Sequence, residues 1–196
     1  MSEDRAVFFA LAHLGGSRDL PWFLPAFAIS VAIAIAASGW VGRALNLRRG
    51  VAVALIVSLG IVLAATLTPQ WEALAFGTRG SGTCDLSRIG LASLDDLRGK
   101  SDALGNILMF IPLGVMISLV PRSRRKAAIV VAAIALPFAI ETTQVLLPVL
   151  DRACESADVI DNLTGLALGF AGGSVAGWLA SATYRRSRWL ERAPRR

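Results

Sequence analysis

Five uninterrupted apolar runs constrain this chain more than any other feature. They cover residues 21–41, 50–69, 103–120, 127–147 and 158–182, and each reaches the roughly 18 residues that a helix needs to cross a bilayer. The first three contain no charged residue at all. Inside hydrocarbon a backbone N–H or C=O finds no water, so a continuous apolar run crosses it as a helix that satisfies its own backbone. Composition agrees, since 55% of the 196 residues are hydrophobic and 17% charged, too few charges to clothe a soluble domain. The predicted fold is all-α: a polytopic transmembrane helical bundle of about five spans.

Charge sets the expected orientation. The linker 42–49 holds Arg43, Arg48 and Arg49; the linker 121–126 holds Arg122, Arg124, Arg125 and Lys126; the tail after Ala182 holds six more arginines. That places 13 of the 20 Lys and Arg on one side, with Glu191 as its acid. The other side, made of residues 1–20, 70–102 and 148–157, carries seven basic and ten acidic residues. By the positive-inside rule the N-terminus lies outside and the C-terminus in the cytoplasm. The net charge of +6 could suggest nucleic acid, but the cations sit in short juxtamembrane linkers with no aromatic interleaving, so no nucleic-acid partner is expected. Contact with lipid headgroups accounts for them better. Trp22, Trp40 and Trp71 fall near span ends, as an aromatic belt has them.

The opening residues, Met1 to Arg5, lack the basic start of a secretory signal, and the apolar stretch after them is short. Residues 1–20 therefore read as an outer tail with an interfacial helix. His13, within it, is the single histidine, so histidine-based metal or nucleophile chemistry has little to draw on. No cofactor or metal is expected. Cys84 and Cys154 both fall on the outer side, where an oxidising space favours a disulfide; two unpaired thiols are the alternative.

Within the spans, ionisable groups reduce to Glu141, with Asp158 and Asp161 at the edge. Each costs on the order of 2.5–3.5 kcal/mol at depth on insertion scales, so each needs a reason. Glu141 and Gln144 share a face one turn apart. Asn106, Glu141, Gln144 and Asn162 all fall in the outer third of the bilayer by helix rise. In the last run Asp158, Asn162, Gly165, Gly169 and Ala176 form a narrow stripe at 100° per residue, flanked by Asp161, Gly172 and Gly173. Small residues at that spacing make a helix-packing face. Asp161, at the stripe's edge, reads as a rim residue in reach of water. Asn106 shares its face with Phe110, Leu113 and Ile117, and Pro112 and Pro137 interrupt their helices. The polar set reads either as interhelical hydrogen-bond glue or as an outward-facing pocket.

Residues "NILMFIPLG" (Asn106, Phe110, Pro112, Gly114), "ETTQ" (Glu141, Gln144), and Arg152 followed by "DVIDNLTGLALG" (Asp158, Asn162, Gly165, Gly169) resemble the VanZ-like family. "TLTP" at residues 66–69 resembles the end of that family's first helix. The resemblance implies a VanZ-like four-helix membrane domain over 49–182, an extra N-terminal helix and basic linker at 21–48, and a basic cytoplasmic tail at 183–196. Ala157 stands where a second acid is common before Asp158, which weakens any role needing paired acids there. The family comprises bacterial membrane proteins whose founding member is linked to teicoplanin resistance. The resemblance thus implies a multi-pass protein of the bacterial cell membrane.

Three functions compete. A non-enzymatic envelope protein would bind a lipid-linked or anionic component, or the glycopeptide itself, through Asn106, Glu141, Gln144, Arg152, Asp158 and Asn162. Arg152, beside the outward N-termini of the third and fifth runs, would attract a phosphate or carboxylate. An intramembrane enzyme on a lipid-linked substrate would use Glu141 or Asp158 as general base, but lacks an evident nucleophile or phosphate loop. A small transporter is third, since five spans show no inverted repeat.

Overall fold

The computed structural model describes residues 22–69, 83–98 and 103–192, with side chains to Thr183. Expectations for residues 1–20, His13, Trp71 and the side chains of the basic tail lie outside the described residues. In chain order the elements are α1 (Phe23–Leu45), α2 (Arg49–Thr66), β1 (Cys84–Asp85), α3 (Leu94–Arg98), α4 (Ala103–Ser118), α5 (Arg124–Leu146), a 3-10 turn (Pro148–Leu150), β2 (Cys154–Glu155) and α6 (Ser156–Arg192).

Four of these helices, α1, α2, α5 and the stretch Ser156–Thr183 of α6, are long and apolar enough to cross a membrane. The third apolar run folds as a shorter helix, α4, of 16 residues, which rises about 24 Å. Leu, Ile, Val and Trp side chains such as Leu24, Ile33, Trp40, Val131 and Trp178 stay exposed on the outer faces, the surface that lipid covers. The chain is a helical membrane protein.

The α1–α2 hairpin closes on Asn46, which sits in the left-handed region at φ 54°. Its N–H bonds to the Arg43 carbonyl, and that of Leu47 to the Gly42 carbonyl at 2.8 Å; this paired pattern terminates a helix by satisfying its last carbonyls. Arg49 then donates back to Ser38 Oγ at 3.0 Å and fixes the two helices antiparallel. The main core gathers Leu55 and Val62 from α2, Phe110, Leu113 and Ile117 from α4, Ala133 and Ile140 from α5, and Leu166 from α6. None comes from α1, which packs chiefly on α2.

The tightest seam joins α4 and α6. A Cβ at Gly165 would strike the Ile107 backbone, one at Gly169 the Ile111 backbone, and one at Gly114 the Leu166–Phe170 backbone. Contacts that advance in the same direction on both helices make this pair parallel. Farther along, Gly173 meets Val115 and Ser118. The packing row thus runs Gly165, Gly169, Gly173. Ala176 and Gly172, expected on or beside it, are exposed, because the contact row follows every fourth residue, the ridge along which neighbouring helices interlock. Phe110 is fully buried, whereas Pro112 is exposed and α4 continues through it.

Candidate functional site

One end of the bundle collects the C-termini of α2 and α5, the N-termini of α4 and α6, and the β1–β2 pair. Cys84 and Cys154 are disulfide-bonded with Cα atoms 4.5 Å apart, and their strands pair in parallel, Cys84 opposite Cys154 and Asp85 opposite Glu155. Two chains that leave a parallel pair travel together. Arg88, four residues past Cys84, and Asp161, seven past Cys154, therefore meet.

Arg88 donates from both terminal nitrogens to the two Asp161 carboxylate oxygens, the fork-to-fork geometry that arginine and a carboxylate favour. Asp161 is 0% exposed and Arg88 25%. The expectation that Asp161 reaches water at the rim is corrected: the segment Ser87–Gly90 folds over it. The Asp161 carboxylate holds the Arg88 guanidinium above its ordinary pKa. Ser156 Oγ donates to the Arg88 carbonyl at 2.8 Å, so the backbone of the segment is held as well as its side chain.

The other polar residues are paired across helices. Asn106 on α4 donates to Asp158 on α6 at 2.7 Å. From α5, Glu141 accepts the backbone N–H of Glu155 at 2.9 Å, fastening β2. Gln144, one turn on, donates to the Thr66 carbonyl at 3.1 Å, while Arg152 donates to the Ala65 carbonyl at 2.8 Å. A helix leaves its last four carbonyls unsatisfied, and α2 has two of them capped by these distant side chains. A cation at that end also suits the helix dipole. Arg152, expected beside the N-termini of the third and fifth runs, donates to the C-terminal end of α2.

Asn162 is 2% exposed, and its Oδ1 has no hydrogen-bond partner among the described residues. The acids are dispersed, and among the described residues no three acidic, histidine or cysteine side chains come together as metal ligands. The end is thus a set of clamps. Asn106, Asp158, Asp161 and Asn162 lie on the α4–α6 side, and Glu141, Gln144 and Arg152 on the α2–α5 side, with β2 between them. Sequence reasoning missed Arg88 and Ser156. A buried Asp161 needs a cation, yet residues 70–102 offer four (Arg79, Arg88, Arg98, Lys100), and only the strand pairing selects Arg88.

A family model described as VanZ/LLP1 matches residues 53–177, more than half the chain. The chain belongs to the VanZ/LLP1 family. The match takes in every clamp residue named above and leaves out α1, which supplies no fully buried member of the main core cluster. Comparison with curated proteins and with solved structures finds no match to this VanZ/LLP1 chain.

Proposed function

We propose that this VanZ/LLP1 membrane protein is a non-enzymatic component of the bacterial cell membrane, with its N-terminus outside and its C-terminus in the cytoplasm. Its polar end faces outward and binds an envelope component, a lipid-linked precursor or a teicoplanin-type glycopeptide, thereby supporting glycopeptide tolerance. The reading rests on one observation: the carboxylates that an enzyme would use as general base are already engaged as acceptors from this chain's own donors. Glu141 is 5% exposed and bonded to the Glu155 amide. Asp158 accepts from Asn106. Groups held in this way shape a surface. The ordered segment Ser87–Gly90, pinned by Arg88–Asp161 and by the disulfide, supplies part of it.

Profiling of lipid-linked envelope precursors in cells with and without the protein is the deciding experiment. A binder leaves every precursor chemically unchanged, while the purified protein retains one of them or the glycopeptide. A modified precursor that disappears with Asp158→Asn or Glu141→Gln sinks the binding reading and establishes the enzyme.

A further inference from the structure

At the opposite end of the bundle the α1–α2 and α4–α5 connections lie side by side and enclose an open groove of about 430 Å³, within the roughly 300–1,000 Å³ of ligand pockets. Its lining is amphipathic: Ala44, Leu45 and Pro121 supply apolar surface, and Arg122, Arg124 and Arg125 supply charge. Among the described residues no acid lines it. The arginines differ in their engagements. Arg125 donates to the Ala44 carbonyl and ties the two connections together. Arg122 and Arg124 are exposed. The next cation, Lys126, is directed away, donating to the Ser118 carbonyl at 2.8 Å and lying 5.2 Å from the centre of the Phe170 ring.

This placement runs against local electrostatics. Arg124, Arg125 and Lys126 form the first turn of α5, which has no acid, at the end where a helix already carries partial positive charge. Each cation there is unfavourable by itself. An anion in the groove reverses the sign, meeting the guanidinium groups and the helix N-terminus at once. Since the groove opens at the end of membrane-spanning helices and half its wall is apolar, its occupant carries both charge and hydrocarbon.

We propose that this groove binds the phosphodiester headgroup of an anionic phospholipid, with Arg122 and Arg124 on the phosphate and Ala44, Leu45 and Pro121 against the adjoining apolar part. The site is independent of the function proposed for the opposite end.

The test uses the full-length protein purified in detergent, titrated with phosphatidylglycerol or phosphatidylethanolamine and read by native mass spectrometry. Phosphatidylglycerol adducts are expected to dominate. Arg122→Gln with Arg124→Gln should weaken them roughly 30-fold, taking about fivefold for each cation near a lipid surface. Arg43→Gln with Arg48→Gln removes two cations from the same end that do not line the groove, and should leave binding within about twofold of the unchanged protein, while an intact disulfide and an unaltered lipid-free melting temperature certify folding. Equal losses in the two double variants overturn the proposal in favour of diffuse charge. Equal retention of the two lipids overturns it as well, as does stabilisation by inorganic phosphate that matches phosphatidylglycerol, which makes the site one for a soluble anion.

Discussion

Arg88 and Asp161 are the residues whose separation is most costly, because the carboxylate is fully enclosed while the guanidinium still touches water. Removing the cation leaves a bare buried charge, a change that typically costs about 3–5 kcal/mol. Removing the carboxylate's charge leaves an arginine that can turn outward. Arg88→Ala should therefore destabilise the protein more than Asp161→Asn, and adding Asp161→Asn to Arg88→Ala should recover stability. Thermal unfolding of the two single variants and the double variant in detergent checks this; a double variant no better than Arg88→Ala refutes the buried ion pair. The identity of Asp158, Glu141 and Asn106 as polar groups needing partners was legible from their place in apolar runs. Their partners were not, since Asn106 and Asp158 lie 52 positions apart and their meeting depends on two helices being parallel neighbours. Asp161 was misjudged because helix periodicity describes one helix, whereas the segment that covers it comes from a different part of the chain.

Among the elements, the α4–α6 seam depends on missing side chains. Gly169→Ala places a methyl against the Ile111 backbone, and overpacking of this kind costs about 1–3 kcal/mol. Gly172→Ala, three residues along, meets nothing within 4 Å, so alanine's helix preference should leave it neutral or up to about 1 kcal/mol more stable. Unfolding of the two variants side by side gives the comparison; equal effects refute the close approach. Helix α3 carries a different device. Ser93 Oγ accepts from the Asp96 N–H at 3.2 Å while an Asp96 oxygen accepts from the Ser93 N–H at 2.8 Å, a reciprocal cap. The bonds that the Asp96 carboxylate accepts from the Ser93 N–H and the Ser93 hydroxyl hold it below its ordinary pKa. Its contribution is thus complete above the unfolded value of about 3.9 and is lost as pH falls through the lower folded one. The protection of the amides across Leu94–Arg98, measured against the intrinsic exchange rate at each pH, should fall only in that acidic window, and Ser93→Ala should show reduced protection at neutral pH too. Gly165 and Gly169 could be placed on one face because helical periodicity is a local property, but the same periodicity carried the row on to Ala176, where the structure has Gly173. The 3-10 turn, the two-residue strands and the cap on α2 arise from tertiary contacts that leave no periodic trace.

For the whole molecule, the long apolar runs made the helical membrane fold legible from sequence, since bilayer thickness and backbone hydrogen bonding leave few other solutions. The disulfide joins positions 70 residues apart, so the chain-entropy account allows up to about 4 kcal/mol from it. Reduction should shift gel mobility after free thiols are blocked, and Cys84→Ser with Cys154→Ser should lower the melting temperature; an unchanged mobility with both thiols labelled refutes the bond in the purified protein. Two neighbours of unequal length have a further consequence. Helix α4 ends at Ser118 after about 24 Å, while α6 begins earlier along their shared seam and runs on beyond it. The apolar length of α4 is shorter than the roughly 30 Å core of an average bilayer. The membrane must dimple there or the helices must tilt. The protein should accordingly be most stable when reconstituted with short-chain lipids and lose stability as the acyl chains lengthen, acting as a gauge of the thickness of the membrane around it.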